Sequence, residues 1–166
     1  MRSALSCGLL MCLVAITGHA LDAPEGRVIL TITGSIGVTN GEGAALFDRA
    51  MLEAMPQHTI RTHTPWHDGQ VTFAGPLGRD VLDSVGAQGE MLRVMALNDY
   101  SASIPVDDFN QYDVILAMTL DGVPLRVRDQ GPLFVIYPFD DQPELLNEKI
   151  MSRSVWQVAH IDVLAE

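Results

Sequence analysis

Val-Ile-Leu-Ala-Met-Thr-Leu, residues 114–120, is a continuous apolar run that decides the fold class. A run of this length, ended by the turn residues Asp121-Gly122, is typical of a strand that is buried on both faces. A second run of the same kind, Leu-Phe-Val-Ile-Tyr, occupies residues 133–137. The two runs predict a sheet at the centre of the protein.

Shorter runs on both sides of this centre predict further strands. Val-Ile-Leu-Thr-Ile-Thr at residues 28–33 is rich in β-branched side chains, which favour strands. The other runs are bounded mostly by Pro, Gly, Asn or Asp, which favour turns. The predicted strands cover residues 28–33, 59–64, 70–74, 91–97, 101–104, 114–120, 133–137 and 155–163.

Two longer segments carry apolar residues at helical spacing. One covers residues 44–55 and ends at Pro56, and the other begins at Pro76 and ends at Gly86. Shorter helical segments are predicted over residues 105–109 and 144–151. Many short strands with two clear helices predict an α+β fold in a single mixed, β-rich domain.

The first twenty residues have the pattern of a secretory signal peptide. Arg2 precedes an apolar run from Leu5 to Ile16, which is shorter than the roughly 20 residues that span a bilayer. Gly18-His19-Ala20 then supplies the small residues of a cleavage site. The sequence predicts a leader over residues 1–20, a mature domain over residues 21–166, and a periplasmic or secreted protein. A short membrane anchor is the alternative.

The charge balance restricts the partners. The chain has 10 Lys and Arg against 21 Asp and Glu, a net charge of −11, and loss of Arg2 with the leader makes it −12. Such a surface repels phosphate backbones, so nucleic-acid binding is excluded. Anionic membrane surfaces are excluded as partners of the cleaved protein for the same reason.

Both cysteines, Cys7 and Cys12, lie in the predicted leader. The mature chain therefore has no thiol for a disulfide, a thiolate metal site or a cysteine nucleophile.

Four groups of residues could carry chemistry, and each has a simpler interpretation. The glycine loop of residues 34–43 follows a strand but matches no phosphate-binding motif. His63, His67 and Asp68 could converge on zinc or copper, or be solvated loop residues. The acidic residues 107–108 and 140–144 could bind calcium, or be ordinary surface carboxylates. The basic residues Arg126, Arg128 and Arg153 could hold a planar anion, or form ion pairs with nearby carboxylates.

The order of several motifs resembles a known family. The segment Leu-Thr-Ile-Thr-Gly-Ser-Ile at residues 30–36 comes first. Five motifs follow it along the chain: Phe-Ala-Gly-Pro-Leu-Gly-Arg-Asp-Val-Leu, Ala-Leu-Asn-Asp-Tyr-Ser, Asp-Gly-Val-Pro-Leu, Gly-Pro-Leu-Phe-Val-Ile-Tyr-Pro and Arg-Ser-Val-Trp. These begin at residues 73, 96, 121, 131 and 153. Together they resemble the oxidoreductase molybdopterin-binding domain, the sulfite-oxidase fold, and above all its small exported single-domain members. The resemblance covers about Val28 to Val163.

The resemblance implies a cofactor site, and the sequence departs from it. Enzymes of that family hold molybdenum through the pterin dithiolene and one protein cysteine, which follows the strand that here ends at Thr64. This chain has His63, Thr64 and Pro65 at that place. The resemblance carries the cofactor-binding contacts to His63, Arg153 and Ser154. It assigns no catalytic residue and no metal ligand.

Two functional hypotheses follow from the missing cysteine. The first is a non-catalytic binding module that keeps the cleft and takes a small anionic or pterin-like ligand, or a periplasmic protein. The second is a molybdopterin-dependent oxidoreductase with an unusual metal ligand. The first predicts no cofactor, although the resemblance leaves molybdopterin open. In either case Trp156 is predicted to pack in one core with residues 133–137.

Overall fold

The computed structural model describes residues 21–165, so the predicted leader over residues 1–20 and Glu166 lie outside the described residues. The strands are β1 Val28–Gly34, β2 Ala45–Asp48, β3 Gln57–His63, β4 Gln70–Pro76, β5 Met91–Ala96, β6 Ser101–Pro105, β7 Ile115–Ala117, β8 Thr119–Leu120, β9 Val123–Pro124, β10 Phe134–Ile136 and β11 Val158–Leu164. The helices are α1 Arg49–Ala54, α2 Gly78–Ser84, α3 Val106–Gln111 and α4 Glu148–Arg153, with 3-10 turns at Val127–Asp129 and Pro143–Leu145.

The strands form three sheets. The largest has the order β2-β1-β11-β5-β6, in which β1 and β11 are parallel and the other neighbours are antiparallel. A four-stranded sheet has the order β3-β4-β8-β9, and β7 pairs with β10 in a two-stranded ribbon. This arrangement, with four short helices around the sheets, confirms the predicted α+β, β-rich fold.

The β7–β10 ribbon lies between two hydrophobic cores. Ile115 and Ala117 of β7 belong to the smaller core, whereas Leu116 belongs to the larger one. In β10, Phe134 belongs to the smaller core and Val135 to the larger one. Successive side chains of a strand point to opposite faces, so a strand between two cores must be apolar at every position. This explains the continuous apolar runs in the sequence.

Four predicted elements differ clearly from the structure. The helix predicted over residues 144–151 begins only at Glu148, because residues 143–145 form a 3-10 turn and Asn147 caps the helix at the Ile150 N–H. The helix predicted over residues 44–55 begins only at Arg49, because residues 45–48 pair with β1 as strand β2. The strand predicted over residues 114–120 is interrupted at Met118, whose N–H donates to Ala74 O. The last strand begins at Val158 rather than at residue 155, because Gln157 has a left-handed backbone with φ +56°.

Candidate functional site

A pocket of about 270 Å³ opens between the start of β6 and the end of α4. We call it the aromatic pocket. It is lined by Trp66, Asn98, Tyr100, Met151, Ser154, Val155 and Trp156.

Two tryptophans form one wall of the aromatic pocket, and they are the only tryptophans in the chain. The ring centroids of Trp66 and Trp156 lie 5.9 Å apart in an edge-to-face arrangement. Both rings pack on the buried Phe134, with centroid distances of 5.5 and 6.0 Å. Aromatic clusters with this geometry gain stability beyond the area they bury, so the wall is well ordered.

Local hydrogen bonds hold the pocket residues in place. The Thr64 hydroxyl accepts from the Trp66 N–H at 3.3 Å, which fixes the turn that carries Trp66. Asn98 Oδ1 accepts from the Tyr100 N–H at 3.2 Å, and the Tyr100 hydroxyl donates to Ser152 O at 2.7 Å. The last bond ties β6 to α4 across the pocket.

Trp156 was predicted to be buried in one core with residues 133–137, and this is wrong. Its residue is 36% exposed, whereas its neighbour Val155 is 1% exposed. The two lie side by side in an extended segment, so when Val155 faces the core Trp156 faces the pocket. The contact with residues 133–137 survives only through Phe134, which bridges to Trp156 through the backbone and packs against its ring.

The three residues proposed from the resemblance do not meet at one site. Ser154 lines the aromatic pocket, but it is buried and its hydroxyl donates to Ile150 O at 3.0 Å. Neither Arg153 nor His63 lines the pocket. The sequence therefore located one edge of the site through Ser154 and missed most of its walls.

Arg153 is engaged in a buried ion pair. Its Nη1 donates to Asp108 Oδ2 at 2.8 Å, and the Tyr137 hydroxyl donates to the same oxygen at 2.8 Å. The side chains of Arg153 and Asp108 are only 12% and 10% exposed. Burial, together with the adjacent Asp108 carboxylate, raises the pKa of Tyr137, so this phenol stays protonated. A charge pair so enclosed holds α4 against α3 rather than a ligand.

His63 is bonded to the loop after β10. Its ring Nδ1 lies 2.9 Å from Asp140 Oδ2, and its backbone N–H donates to Asp140 Oδ1 at 3.1 Å. Gln70 Nε2 donates to the same carboxylate at 2.9 Å. Desolvation raises the pKa of Asp140, but the hydrogen bonds from Gln70 and His63 outweigh it and lower that pKa below its usual value. This cluster fastens β3 to the 138–142 loop.

The other candidate groups also have structural roles. His67 Nδ1 lies 2.8 Å from the Thr64 hydroxyl, apart from the bonded pair of His63 and Asp140. Arg126 and Arg128 both lie near Asp129, at 2.5 and 3.7 Å. Among residues 21–165, no three His, Cys, Asp or Glu side chains are grouped closely enough to hold a metal ion.

The residues at this site do not fit a molybdenum cofactor. In the enzymes that the sequence resembles, the protein supplies a cysteine thiolate to molybdenum, and residues 21–165 contain no cysteine. The lining of the aromatic pocket also has no cationic side chain for the cofactor's phosphate. The pocket does present aromatic faces and an amide, which suit a flat heteroaromatic ring.

Comparison with known proteins identifies the family of this fold. The family model described as "Oxidoreductase molybdopterin binding domain" matches residues 47–139, more than half of the chain. The chain belongs to this family of molybdopterin-binding domains. The resemblance seen in the sequence is thereby confirmed, and the match includes β3, the Trp66 turn and the β7–β10 ribbon.

A solved structure shows the same fold. The chain is similar to the sulfane dehydrogenase SoxCD from Paracoccus pantotrophus, with a TM-score of 0.61 and 18% identity over 82% of this chain. It spans only 38% of that longer chain. No curated protein matches the sequence. Within residues 21–165, no helix is long and apolar enough to cross a membrane.

Sequence reasoning missed Trp66, Asn98 and Tyr100 as site residues. Asn98 and Tyr100 lie between two of the predicted strands, and Trp66 was assigned no role. The available signal was that each of the chain's two tryptophans follows the end of an element, Trp66 after β3 and Trp156 after α4. Aromatic residues in such positions are often exposed on one face and suited to binding.

Proposed function

We propose that this protein is an exported, non-catalytic binding module, in which the aromatic pocket takes a pterin-like ring without a redox metal. The observation that carries the proposal is a pocket walled by Trp66, Tyr100 and Trp156 in a family member that lacks the thiol. Export rests on the leader pattern of residues 1–20.

The pocket offers both kinds of contact that a pterin needs. The partly exposed Trp156 and Tyr100 present apolar faces to a planar ring. The Asn98 side-chain nitrogen makes no hydrogen bond within residues 21–165, so it is free to donate to the polar edge of the ring. Met151 adds a polarisable contact that suits an aromatic ligand. The pocket wall supplies no cation, which favours the pterin-like ligand over a small anion at this place.

The absence of a thiol from the mature chain separates this proposal from catalysis. In the enzymes that the sequence resembles, oxygen transfer depends on molybdenum held by a cysteine. The alternative, a molybdopterin-dependent oxidoreductase with an unusual ligand, would require another donor near β3. His63, the nearest candidate, bonds Asp140 through Nδ1 and keeps only Nε2 as a donor, and its side chain is 64% exposed and outside the aromatic pocket.

The binding proposal is tested by titrating the purified protein with metal-free biopterin. Both tryptophans line the pocket, so a bound ring should quench the intrinsic fluorescence of the protein and release heat in a calorimeter. Trp156→Ala should weaken binding by about tenfold or more, since a stacking aromatic residue is removed. Asn98→Ala should weaken it less, because one hydrogen bond is lost.

Leu146→Ala is the matched control, since Leu146 is also an exposed apolar residue and lies outside the pocket. It should bind biopterin like the unmodified protein. The proposal is wrong if biopterin gives neither heat nor quenching at millimolar concentration, or if Trp156→Ala and Leu146→Ala bind it equally well.

A further inference from the structure

A second hollow, of about 520 Å³, shares no lining residue with the aromatic pocket. We call it the arginine groove. Its charged lining residues are Arg27, Arg49 and Arg126, and no Asp or Glu lines it. These are three of the eight arginines in residues 21–165, gathered in a chain whose net charge is strongly negative. Such a concentration of cations against the overall charge creates a local site for an anion.

Among residues 21–165, three of the seven exposed large apolar residues line the arginine groove. Leu97 and Val127 line it and are 50% and 48% exposed, and Val28 lines it as well. Pro124 and Pro132 complete its apolar wall. Exposed apolar residues that are grouped, rather than scattered, mark a binding surface.

Arg49 is left without a complete set of partners. Its Nη1 is buried and makes no hydrogen bond among residues 21–165, and the nearest carboxylate oxygen, Glu53 Oε1, lies 3.6 Å away. Arg27 has no ion pair within the described part of the chain, whereas Arg126 is paired with Asp129. A buried guanidinium nitrogen without a partner is costly, so a ligand oxygen that drew the side chain into the groove would gain a charge-assisted hydrogen bond.

The neighbouring carboxylates lie on the other side of these arginines. Glu25, Asp48 and Glu53 line an adjacent shallow hollow together with Arg27 and Arg49. Asp48 is occupied there with the backbone N–H groups of Glu25, Gly26 and Met51. These carboxylates do not line the arginine groove, and of the three only Glu53 forms an ion pair with one of its arginines, Arg49.

We propose that the arginine groove binds a small organic anion with an apolar body, its carboxylate or phosphate at Arg49 and Arg27 and its apolar part against Val28, Leu97 and Val127. The site is separate from the aromatic pocket. The two share no lining residue, and Gln157, which follows Trp156 of the pocket, donates its side-chain amide to Val127 O of the groove at 2.7 Å. The net negative charge of the chain disfavours an anionic membrane as the source of the ligand.

The test uses calorimetric titration with octanoate and octyl phosphate, with octanol and inorganic phosphate as separate probes. Either octyl anion or both should bind, and octanol and inorganic phosphate should each bind at least about tenfold more weakly, because each lacks one half of the ligand. The stronger of the two anions identifies the headgroup. Binding of octanol as tightly as octanoate, or no binding by either anion, would overturn the proposal.

Variants separate this site from the aromatic pocket. Arg49→Met keeps an apolar stem but removes the charge, so it should weaken the octyl anion about tenfold and leave biopterin binding unchanged. Arg61→Met removes an exposed arginine of β3 outside the groove and should change neither. Equal effects of the two substitutions on the octyl anion would refute the site. Sedimentation with phosphatidylglycerol vesicles, lost in Arg49→Met, would refute a free small-molecule ligand.

Discussion

The Asp48 carboxylate joins residues 25–26 to the start of α1. Its Oδ1 accepts from the Met51 N–H at 2.9 Å as the N-cap of the helix, and its Oδ2 accepts from the N–H groups of Glu25 and Gly26. Backbone hydrogen bonds from Met51 and Gly26 lower the pKa of Asp48 below its ordinary value of 3.8. A carboxylate whose pKa is lowered by folding stabilises the folded state only while it is ionised.

The sign of the pH dependence follows from this shift. The contribution of Asp48 to the free energy of unfolding is fully present above about pH 5. It is lost as the pH falls through the lowered pKa of Asp48 in the folded state. Asp48→Asn keeps one acceptor for the cap but removes the charge. The gap in unfolding free energy between the unmodified protein and this variant should therefore be largest near neutral pH and shrink below about pH 4.

Urea denaturation at several pH values measures that gap. Asp68→Asn is the control, because Asp68 is an exposed carboxylate in the loop between β3 and β4. A gap for Asp48→Asn that stays constant between neutral pH and about pH 2.5 would show that the charge of Asp48 does not contribute.

The orientation of single side chains was the feature least predictable from the sequence. The sequence placed Ser154 at the site, where it lines the pocket, but placed Trp156 inside the core. Whether a tryptophan next to a buried valine faces in or out depends on the register of one extended segment, and Gln157 sets that register with its left-handed backbone. Glutamine seldom adopts this conformation, so no pattern in the sequence predicts it.

At the scale of elements, β1 ends at a glycine that the parallel pairing requires. Gly34 has φ +88°, and a Cβ built on it would lie 2.1 Å from Val163 O on β11. Gly43 also has a positive φ, of +70°, but a Cβ there would meet no atom within 4 Å. The two glycines share the backbone conformation and differ in the space around them.

Comparing Gly34→Ala with Gly43→Ala isolates the close approach of β1 and β11. Gly43→Ala should cost about 1 kcal/mol through its backbone conformation alone. Gly34→Ala should cost about 3 kcal/mol or more, because β1 and β11 must also move apart. The check is the free energy of unfolding from urea titrations. An equal loss of unfolding free energy in the two variants would mean that β1 and β11 move apart at Val163 without loss of stability.

Elements were predictable where burial decides them. The runs at residues 114–120 and 133–137 became β7, β8 and β10 because a strand between two cores has no polar face. Residues 45–48 were mistaken for helix because their apolar spacing continues that of α1, and only pairing with β1 makes them a strand. Pairing partners far apart in the chain leave no local signal.

For the whole molecule, the order of motifs predicted the family and the α+β fold, whereas the site could not be inferred from that order. A fold is specified by many buried positions together, and a site depends on a few side chains. Here the expected positions Arg153 and His63 are engaged with Asp108 and Asp140, and the pocket is formed by residues that carry no charge. The chemistry of the protein therefore depends on the uncharged groups of the pocket and on the metal ligands that the chain still offers.

The lack of a thiolate ligand leads to a prediction for the intact protein. The full chain, expressed with residues 1–20 in a host that makes molybdopterin, should be purified without stoichiometric molybdenum, because residues 21–166 offer no thiolate to hold it. It should also show no turnover of sulfite or sulfoxide with artificial electron carriers. Elemental analysis and steady-state assays measure the two. About one molybdenum atom per chain, lost in His63→Ala, would establish the oxidoreductase with an unusual ligand, whereas metal-free pterin in the purified protein would agree with the binding module.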